Sequence, residues 1–404
     1  MFLFLARKEV KGKEGSFFYF FLNKNNEEER VMRKLLVLLS AVAFVVAFTV
    51  PAMAADWGFY GSSRMYTFMS DYSKEATSLT HKAALTVADD DLSWFLQSNS
   101  RIGAKVKAGA VSGRFEYGSG PNLRLLNGAW KFGAGTLVVG QDYSPIDTFI
   151  SNQQGPAHWG GDIDGLPWGG IYDGRTAQLK LKMAGFQVAL VQPKVVSAYD
   201  VVTEKALAAD DTDTSMPKIE ASYSFKAGPL ALKVLGGMNS HDDVVITGTT
   251  EKSYSIDSSV FGVMAQYATG PFSVAANMFV ATNPGNFGLL AEGDNPYAGA
   301  IFIDDVVEDA DSTGTLVVLG YKASDMIKLE AGYGMVSNEV EHAGTTAETE
   351  FNTYYIQAVI ALAKGVYIVP EFGSVDYGNL QVTGDPDEKL GDVSYFGAKW
   401  QINF

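Results

Sequence analysis

Short segments that alternate apolar and polar residues, each broken by a turn, fill the chain from Asp56 to Phe404. The stretch 91–107 shows the pattern best. Leu96, Ser98, Ser100, Ile102, Ala104 and Val106 fall on one face of an extended strand, and Gln97, Asn99, Arg101, Lys105 and Lys107 on the other. Successive side chains of a strand point to opposite sides, so this segment has one apolar and one charged wall. A soluble sandwich turns the apolar wall inward. A membrane barrel turns it to lipid and keeps the polar wall on an aqueous lumen.

The ends of the chain favour the membrane. Met32-Arg33-Lys34, the apolar run 35–50, Pro51 and Ala52-Met53-Ala54 together read as a secretory signal peptide, residues 32–54, cut after Ala54. The apolar run is shorter than the ~20 residues that a permanent helical span needs. Residues 1–31 resemble neither a targeting signal nor a domain. Glu27-Glu28-Glu29-Arg30 before Met32 is what a purine-rich ribosome-binding site gives when translated, so 1–31 reads as an upstream mis-start. At the other end, Phe396, Ala398, Trp400, Ile402 and Phe404 alternate with polar residues, which resembles the insertion signal of outer-membrane barrels. After the leader no apolar run reaches helix-spanning length, so a membrane protein here must be a barrel. Residues 55–404 are expected to form that one domain, exported through the periplasm to the outer membrane.

Walking the chain predicts an all-β fold, a transmembrane antiparallel β-barrel of sixteen strands. They are 57–68, 92–107, 111–119, 123–132, 136–143, 175–183, 186–192, 218–226, 230–238, 258–268, 272–282, 314–323, 327–335, 351–362, 366–377 and 392–404. Short turns rich in Gly and Pro alternate with long connections (69–91, 144–174, 193–217, 239–257, 283–313, 336–350 and 378–391), an outer-membrane asymmetry that a sandwich has no reason to adopt. Charge is sorted in the same way. Without residues 1–54 the chain carries net −18; the long loops hold −26 of it, so strands and turns hold +8. An acidic mouth therefore stands over a basic wall. Loop 283–313 has seven acids and no base, which admits weak divalent-cation binding through carboxylate oxygens. Its spacing matches no calcium-loop motif, and a solvated acidic surface is the favoured reading.

The first half of the barrel resembles the general (non-specific) trimeric porins of Gram-negative bacteria. The resemblance runs over roughly residues 57–192. It is carried by Tyr60-Gly61, by Ser100-Arg101-Ile102-Gly103-Ala104-Lys105, by Leu123-Arg124-Leu125 with Trp130-Lys131-Phe132, and by Gly155-Pro156-Ala157-His158-Trp159-Gly160-Gly161-Asp162. It implies a water-filled channel for passive diffusion of ions and small hydrophilic solutes. It also implies that the long third external loop, 144–174, folds into the lumen against a ladder of arginines containing Arg101 and Arg124. By alternation Arg64 and Arg114 share that inner face, and Arg175 extends it upward. An arginine facing hydrocarbon at mid-membrane would cost ~2–4 kcal/mol, so arginines on amphipathic strands should face water. The family's acids before Gly-Gly-Asp are replaced by Gln153, Gln154, Ala157 and His158, leaving Asp162 and Asp164 beyond the glycines. The constriction is therefore read as net basic. The resemblance further implies a homotrimer among outer-membrane lipid and lipopolysaccharide. The second external loop, 118–122, is too short to latch onto a neighbour, which leaves barrel-wall packing to hold the subunits.

Other function classes fare worse. The chain has no cysteine, so thiolate metal sites and thiol nucleophiles are excluded. Its histidines, His81, His158, His241 and His342, all fall in the predicted long loops, away from any serine that strand alternation would bring beside them. No cofactor motif and no basic, aromatic-laced patch for nucleic acid is present. The alternative to a general porin is a substrate-specific channel for a sugar or an anion, with Trp159, Trp168 and Tyr172 as an aromatic track. Packing of those rings against the wall is the preferred reading.

Overall fold

Sixteen antiparallel strand positions close on themselves. The computed structural model describes residues 55–76, 89–120, 122–156, 161–203, 205–247, 249–289 and 296–404. The expected signal peptide 32–54, the segment 1–31, and His81, His158 and Trp159 lie outside the described residues. The wall begins with β1 (Asp56–Tyr72), β2 (Asp89–Leu96), β3 (Arg101–Ala108), β4 (Val111–Gly118), β5 (Leu123–Phe132), β6 (Gly135–Tyr143), β7 (Arg175–Met183) and β8 (Phe186–Val191). It continues with Lys218–Ala227, Leu230–Thr247, Thr250–Thr269, Phe272–Thr282, Ala310–Lys322, Ile327–His342, Thr345–Ala363, Val366–Asp376 and Asp392–Asn403. Segments β2 and β3 are two parts of one wall position: β3 pairs with the first half of β1 and β2 with the second. Closure comes from β1 residues 62–72 pairing with residues 403–393 of the last strand. Among the described residues no helix is long and apolar enough to cross a membrane.

Burial is inverted relative to a soluble protein. On β7, Leu179 is 50% exposed while its neighbour Lys180 is 2% exposed. The same reversal recurs around the wall, as in β1, where Trp57 and Phe59 face out and Tyr66 and Phe68 face in. Aromatic residues cluster beside the short turns on the outer face. Trp130 packs on Phe132 at 5.2 Å, Phe186 on Tyr223 at 4.3 Å and Phe272 on Tyr321 at 5.0 Å. Such a ring is the interfacial girdle of a membrane barrel, where amphipathic rings sit at headgroup level. The turns are as tight as the sequence predicts. At the β7–β8 turn both Ala184 (φ 49°) and Gly185 (φ 89°) take the left-handed conformation that a two-residue hairpin needs.

Two features depart from the sequence-based expectation. The second strand is interrupted at 97–100, where the Ser100 N–H donates to the Gln97 carbonyl at 2.9 Å. Ser100 is consequently buried, its hydroxyl accepting from the Arg64 N–H at 2.9 Å, rather than facing lipid. Connections 239–257 and 336–350 are mostly not loops. Leu230–Thr247 pairs with Thr250–Thr269 up to Thr247 and Thr250, and Ile327–His342 with Thr345–Ala363 up to His342 and Thr345. Outward apolar residues stop where the membrane stops, but backbone pairing continues into water.

Connections 193–217 and 283–313 fold together. Tyr199–Asp200, Lys205–Ala206, Ile301–Ile303 and Val306–Glu308 form a separate four-stranded sheet. Its apolar side joins inward wall residues in two small cores, one of Ala198, Ile256 and Ala300 and one of Ile301, Ala310 and Val340. Asn239 and Asn286 tie it down by donating to the carbonyls of Lys194 and Val196. Farther out, the Asp305 carboxylate accepts from Lys252 and Tyr254, and these contacts hold it below the usual carboxylate range.

Candidate functional site

A single carboxylate organises the basic wall. Glu116 on β4 is fully buried and receives Arg124 Nε at 2.8 Å, Arg114 Nη2 at 2.9 Å and the Tyr60 hydroxyl at 2.8 Å, with Arg101 Nη1 at 3.6 Å. Alternation aims Tyr60, Arg101, Arg114 and Glu116 inward, and register sets Arg101 opposite Gly118 and Arg114 opposite Lys105. A bulge where β4 meets β5, between Glu116 and Tyr117, lets Arg124 swing onto the same acid. Arg124 also donates to Asn99 Oδ1 at 2.8 Å, and Arg101 Nε to the Asn99 carbonyl at 2.9 Å. Three guanidinium groups share one negative charge, so the cluster keeps a positive excess.

The segment 144–174 runs from β6 to β7 along inward-facing side chains of strands far away in sequence. Ser144 donates to Glu220, and the Asp147 carbonyl accepts from Lys233 Nζ at 2.7 Å. Asn277 donates to the Gly169 carbonyl. Ser151 meets the Tyr355 hydroxyl at 2.7 Å. Asn152 gives its N–H (2.8 Å) and its amide (2.6 Å) to Glu330. Gln153 Nε2 donates to Thr353 Oγ1 and to the Tyr395 hydroxyl, both at 2.8 Å. Both Gln154 (2.9 Å) and Gly155 (3.1 Å) donate their N–H to Glu371 Oε1. Glycines permit the closest approach. A Cβ at Gly334 would lie 2.1 Å from the Trp168 carbonyl oxygen, so only glycine fits there.

Asp162 joins this segment to the basic wall. Its carboxylate accepts from Arg64 and, at 2.9 Å, from Lys399 Nζ, with Asn99 Nδ2 at 3.2 Å. Arg64, Arg101, Arg114, Arg124 and Asp162 therefore form one connected polar network. Two expected residues stand apart from it. Asp164 is half-buried, donates its N–H to the Gln153 carbonyl, and enters no ion pair among the described residues. Arg175 stacks on the Tyr143 ring at 5.5 Å rather than joining Glu116. By alternation it shares the face of Leu179, and only the aromatic cluster Tyr143–Phe149–Tyr172 draws it in. Trp168 is fully buried. Sequence reasoning missed Glu220, Glu330, Glu371 and Lys399 as partners of the segment. Each sits at an inward position of a strand; their charge was visible, but not what they would meet.

A closed sixteen-strand wall with lipid-facing aromatics and inward charges leaves few families. The Gram-negative porin family profile matches residues 41–380. The chain belongs to the Gram-negative porin family. Relatedness thus extends well beyond residues 57–192, where motifs could be read. Among solved structures this porin is similar to the outer membrane channel DcaP of Acinetobacter baumannii (14% identity, TM-score 0.60, covering 87% of this chain and 97% of that one). It is also similar to OmpT, an outer membrane protein of Vibrio cholerae (18%, 0.54, 88% and 99%), and to an anion-selective porin from Comamonas acidovorans (12%, 0.51, 87% and 100%). At such identities the likeness is one of fold. No curated protein matches the sequence. The porin is an outer-membrane β-barrel that forms a channel for passive diffusion.

Proposed function

We propose that segment 144–174 narrows the lumen against the arc of Arg64, Arg101, Arg114 and Arg124, giving a channel of weak selectivity for small hydrophilic solutes and ions. The observation that carries this reading is the shared acid: Glu116 is divided among three arginines, and Asp162 between Arg64 and Lys399. Charge near a low-dielectric wall acts more strongly than charge in water, so the narrow section favours anions. The Comamonas protein of similar fold is an anion-selective porin, which points in the same direction. Acids on the external loops act oppositely, but salt at physiological strength screens them beyond ~8 Å. Lowering ionic strength should therefore move the reversal potential in a salt gradient toward cations. A reversal potential independent of ionic strength would remove the loops from the account.

Replacing Arg101 and Arg124 together by Ala should widen the pore and shift the reversal potential toward cations. Wild-type conductance and reversal potential in that double variant would mean that these arginines do not line the constriction. Liposome swelling over sugars of rising size would then separate the two channel types. A smooth fall of rate with size supports the general porin, and saturable block by one sugar or anion the specific one. Burial of Trp168 speaks against an exposed aromatic track at that residue.

The channel reading includes no enzymatic step and no cofactor. Among the described residues, the hydrogen-bond partners of His241 and His342 are a carbonyl and two carboxylates, not a serine hydroxyl. The reading also includes a homotrimer seated in outer-membrane lipid and lipopolysaccharide, packed wall to wall because the β4–β5 connection is short. A single monomeric species in native gels and in light scattering in mild detergent would overturn the trimer and leave the pore.

A further inference from the structure

We propose that the lumen wall below the arginine cluster carries a binding recess for a small multivalent oxyanion, a phosphate group, formed by Lys105 and Lys107 of β3 with Arg114 of β4. It rests on the reading that this face of the barrel borders the aqueous lumen. The three cations are neighbours by register: Lys105 pairs with Arg114 and Lys107 with Ser112. Directly opposed side chains stand ~4.5–5.5 Å apart at Cβ, and like charges so placed repel unless something neutralises them. Two residues along one strand face separates Lys105 from Lys107 by ~7 Å.

Neutralisation from within the barrel is incomplete. Arg114 is held by Glu116 and Tyr60. Among the described residues neither Lys105 nor Lys107 has a carboxylate within ion-pair distance, and the polar lumen contact of Lys105 is the face of the Tyr60 ring, 5.5 Å from its ammonium. Asp56 faces Lys107 across the β1–β3 pairing without closing on it, and it offsets one charge of the group. A cavity of about 430 Å³ opens here, bordered by Asp56, Gly58, both lysines, Ser112 and Arg114. Gly58 is directly opposite Lys105, and a Cβ added to it would meet nothing within 4 Å. The recess is therefore empty space kept open by a missing side chain, ringed by two ammonium groups, a guanidinium and the Ser112 hydroxyl, with the Asp56 carboxylate offsetting one of their charges. Such a set suits a doubly charged tetrahedral oxyanion better than a monovalent carboxylate.

The site lies beside the short 109–110 turn, so it is reached from the end opposite the long loops. In planar bilayers at constant ionic strength, inorganic phosphate added on that side should reduce chloride conductance saturably. Lys105→Gln with Lys107→Gln should weaken the apparent affinity about tenfold or more. Gly58→Leu keeps every charge but fills the space, and it should weaken the affinity as well. Lys226→Gln removes an inward lysine elsewhere on the wall and should leave the phosphate response unchanged. The proposal is overturned by linear phosphate dependence in the wild type, by equal block by acetate, by an unaltered response in the Lys105/Lys107 and Gly58 variants, or by an equal loss in Lys226→Gln. Each variant is checked for the heat-modifiable gel shift of a folded barrel, and the Gly58 variant decides should the double lysine variant not fold. Failure of the constriction reading would appear separately, as an unchanged reversal potential in the Arg101/Arg124 variant.

Discussion

Glu116→Gln should lower the temperature at which the barrel unfolds on a gel and move the reversal potential toward anions. The side chain is fully buried, and Arg124, its partner at 2.8 Å, is 4% exposed. Removing one member of a buried, hydrogen-bonded charge pair costs about 3–5 kcal/mol, because the other charge stays desolvated without compensation. Arg101 and Arg114, at 19% and 31% exposure, can turn to water, so they add less to the loss. Their released positive charge faces the lumen, and this produces the shift in selectivity. An unaltered unfolding temperature together with an unaltered reversal potential would show that Glu116 neither holds the cluster together nor neutralises it.

Glu330→Ala combined with Glu371→Ala should raise single-channel conductance and open-channel noise. Those two wall carboxylates accept the backbone N–H groups of Asn152, Gln154 and Gly155. Each buried donor left without an acceptor costs about 1–3 kcal/mol, and Gln154 and Gly155 lose theirs together, while the exposed Asn152 can turn to water. The contacts near Ser144, Asp147 and Asp162 remain, so the segment should loosen in the middle rather than leave the wall. Because the substitutions touch no arginine, the sign of selectivity should persist while the pore widens. Conductance and noise at wild-type values would mean that these carboxylates do not position the narrow section.

Much of the barrel was readable from the amino acids. The strands 123–132, 175–183 and 272–282 coincide with Leu123–Phe132, Arg175–Met183 and Phe272–Thr282, because a lipid-facing apolar residue at every second position and a Gly-rich or Pro-rich turn leave one register. Strand ends away from the short turns were not readable. The residues 239–247 and 250–257 continue a hairpin whose outer face is no longer apolar. Above the membrane the pattern that marked a strand disappears while the hydrogen-bonded ladder persists.

The site divides along the same line. An arginine at an inward position of an amphipathic strand is forced toward water by the cost of placing it in lipid, and Arg64 and Arg114 could be named on that ground. Arg124, on the parity of the lipid-facing Leu126 and Trp130, could be named only through the family resemblance and is turned inward by the bulge at Glu116 and Tyr117. Their partners were beyond reach. Asp162 meets Lys399 across 237 positions and Gln154 meets Glu371 across 217. Nothing local in either partner specifies the other. Arg175 shows the converse, a charge whose place was decided by the Tyr143 ring beside it rather than by the alternation of its strand. Along most of the wall the sequence by itself determined which residues face lipid and which face water, since that choice is made residue by residue against the solvent. It failed at Ser100, Arg124 and Arg175, where a strand break, a bulge and a ring decided instead. Only the tertiary structure decided which inward charges neutralise one another and which are left over, because closing the barrel brings together groups from strands that the chain keeps far apart.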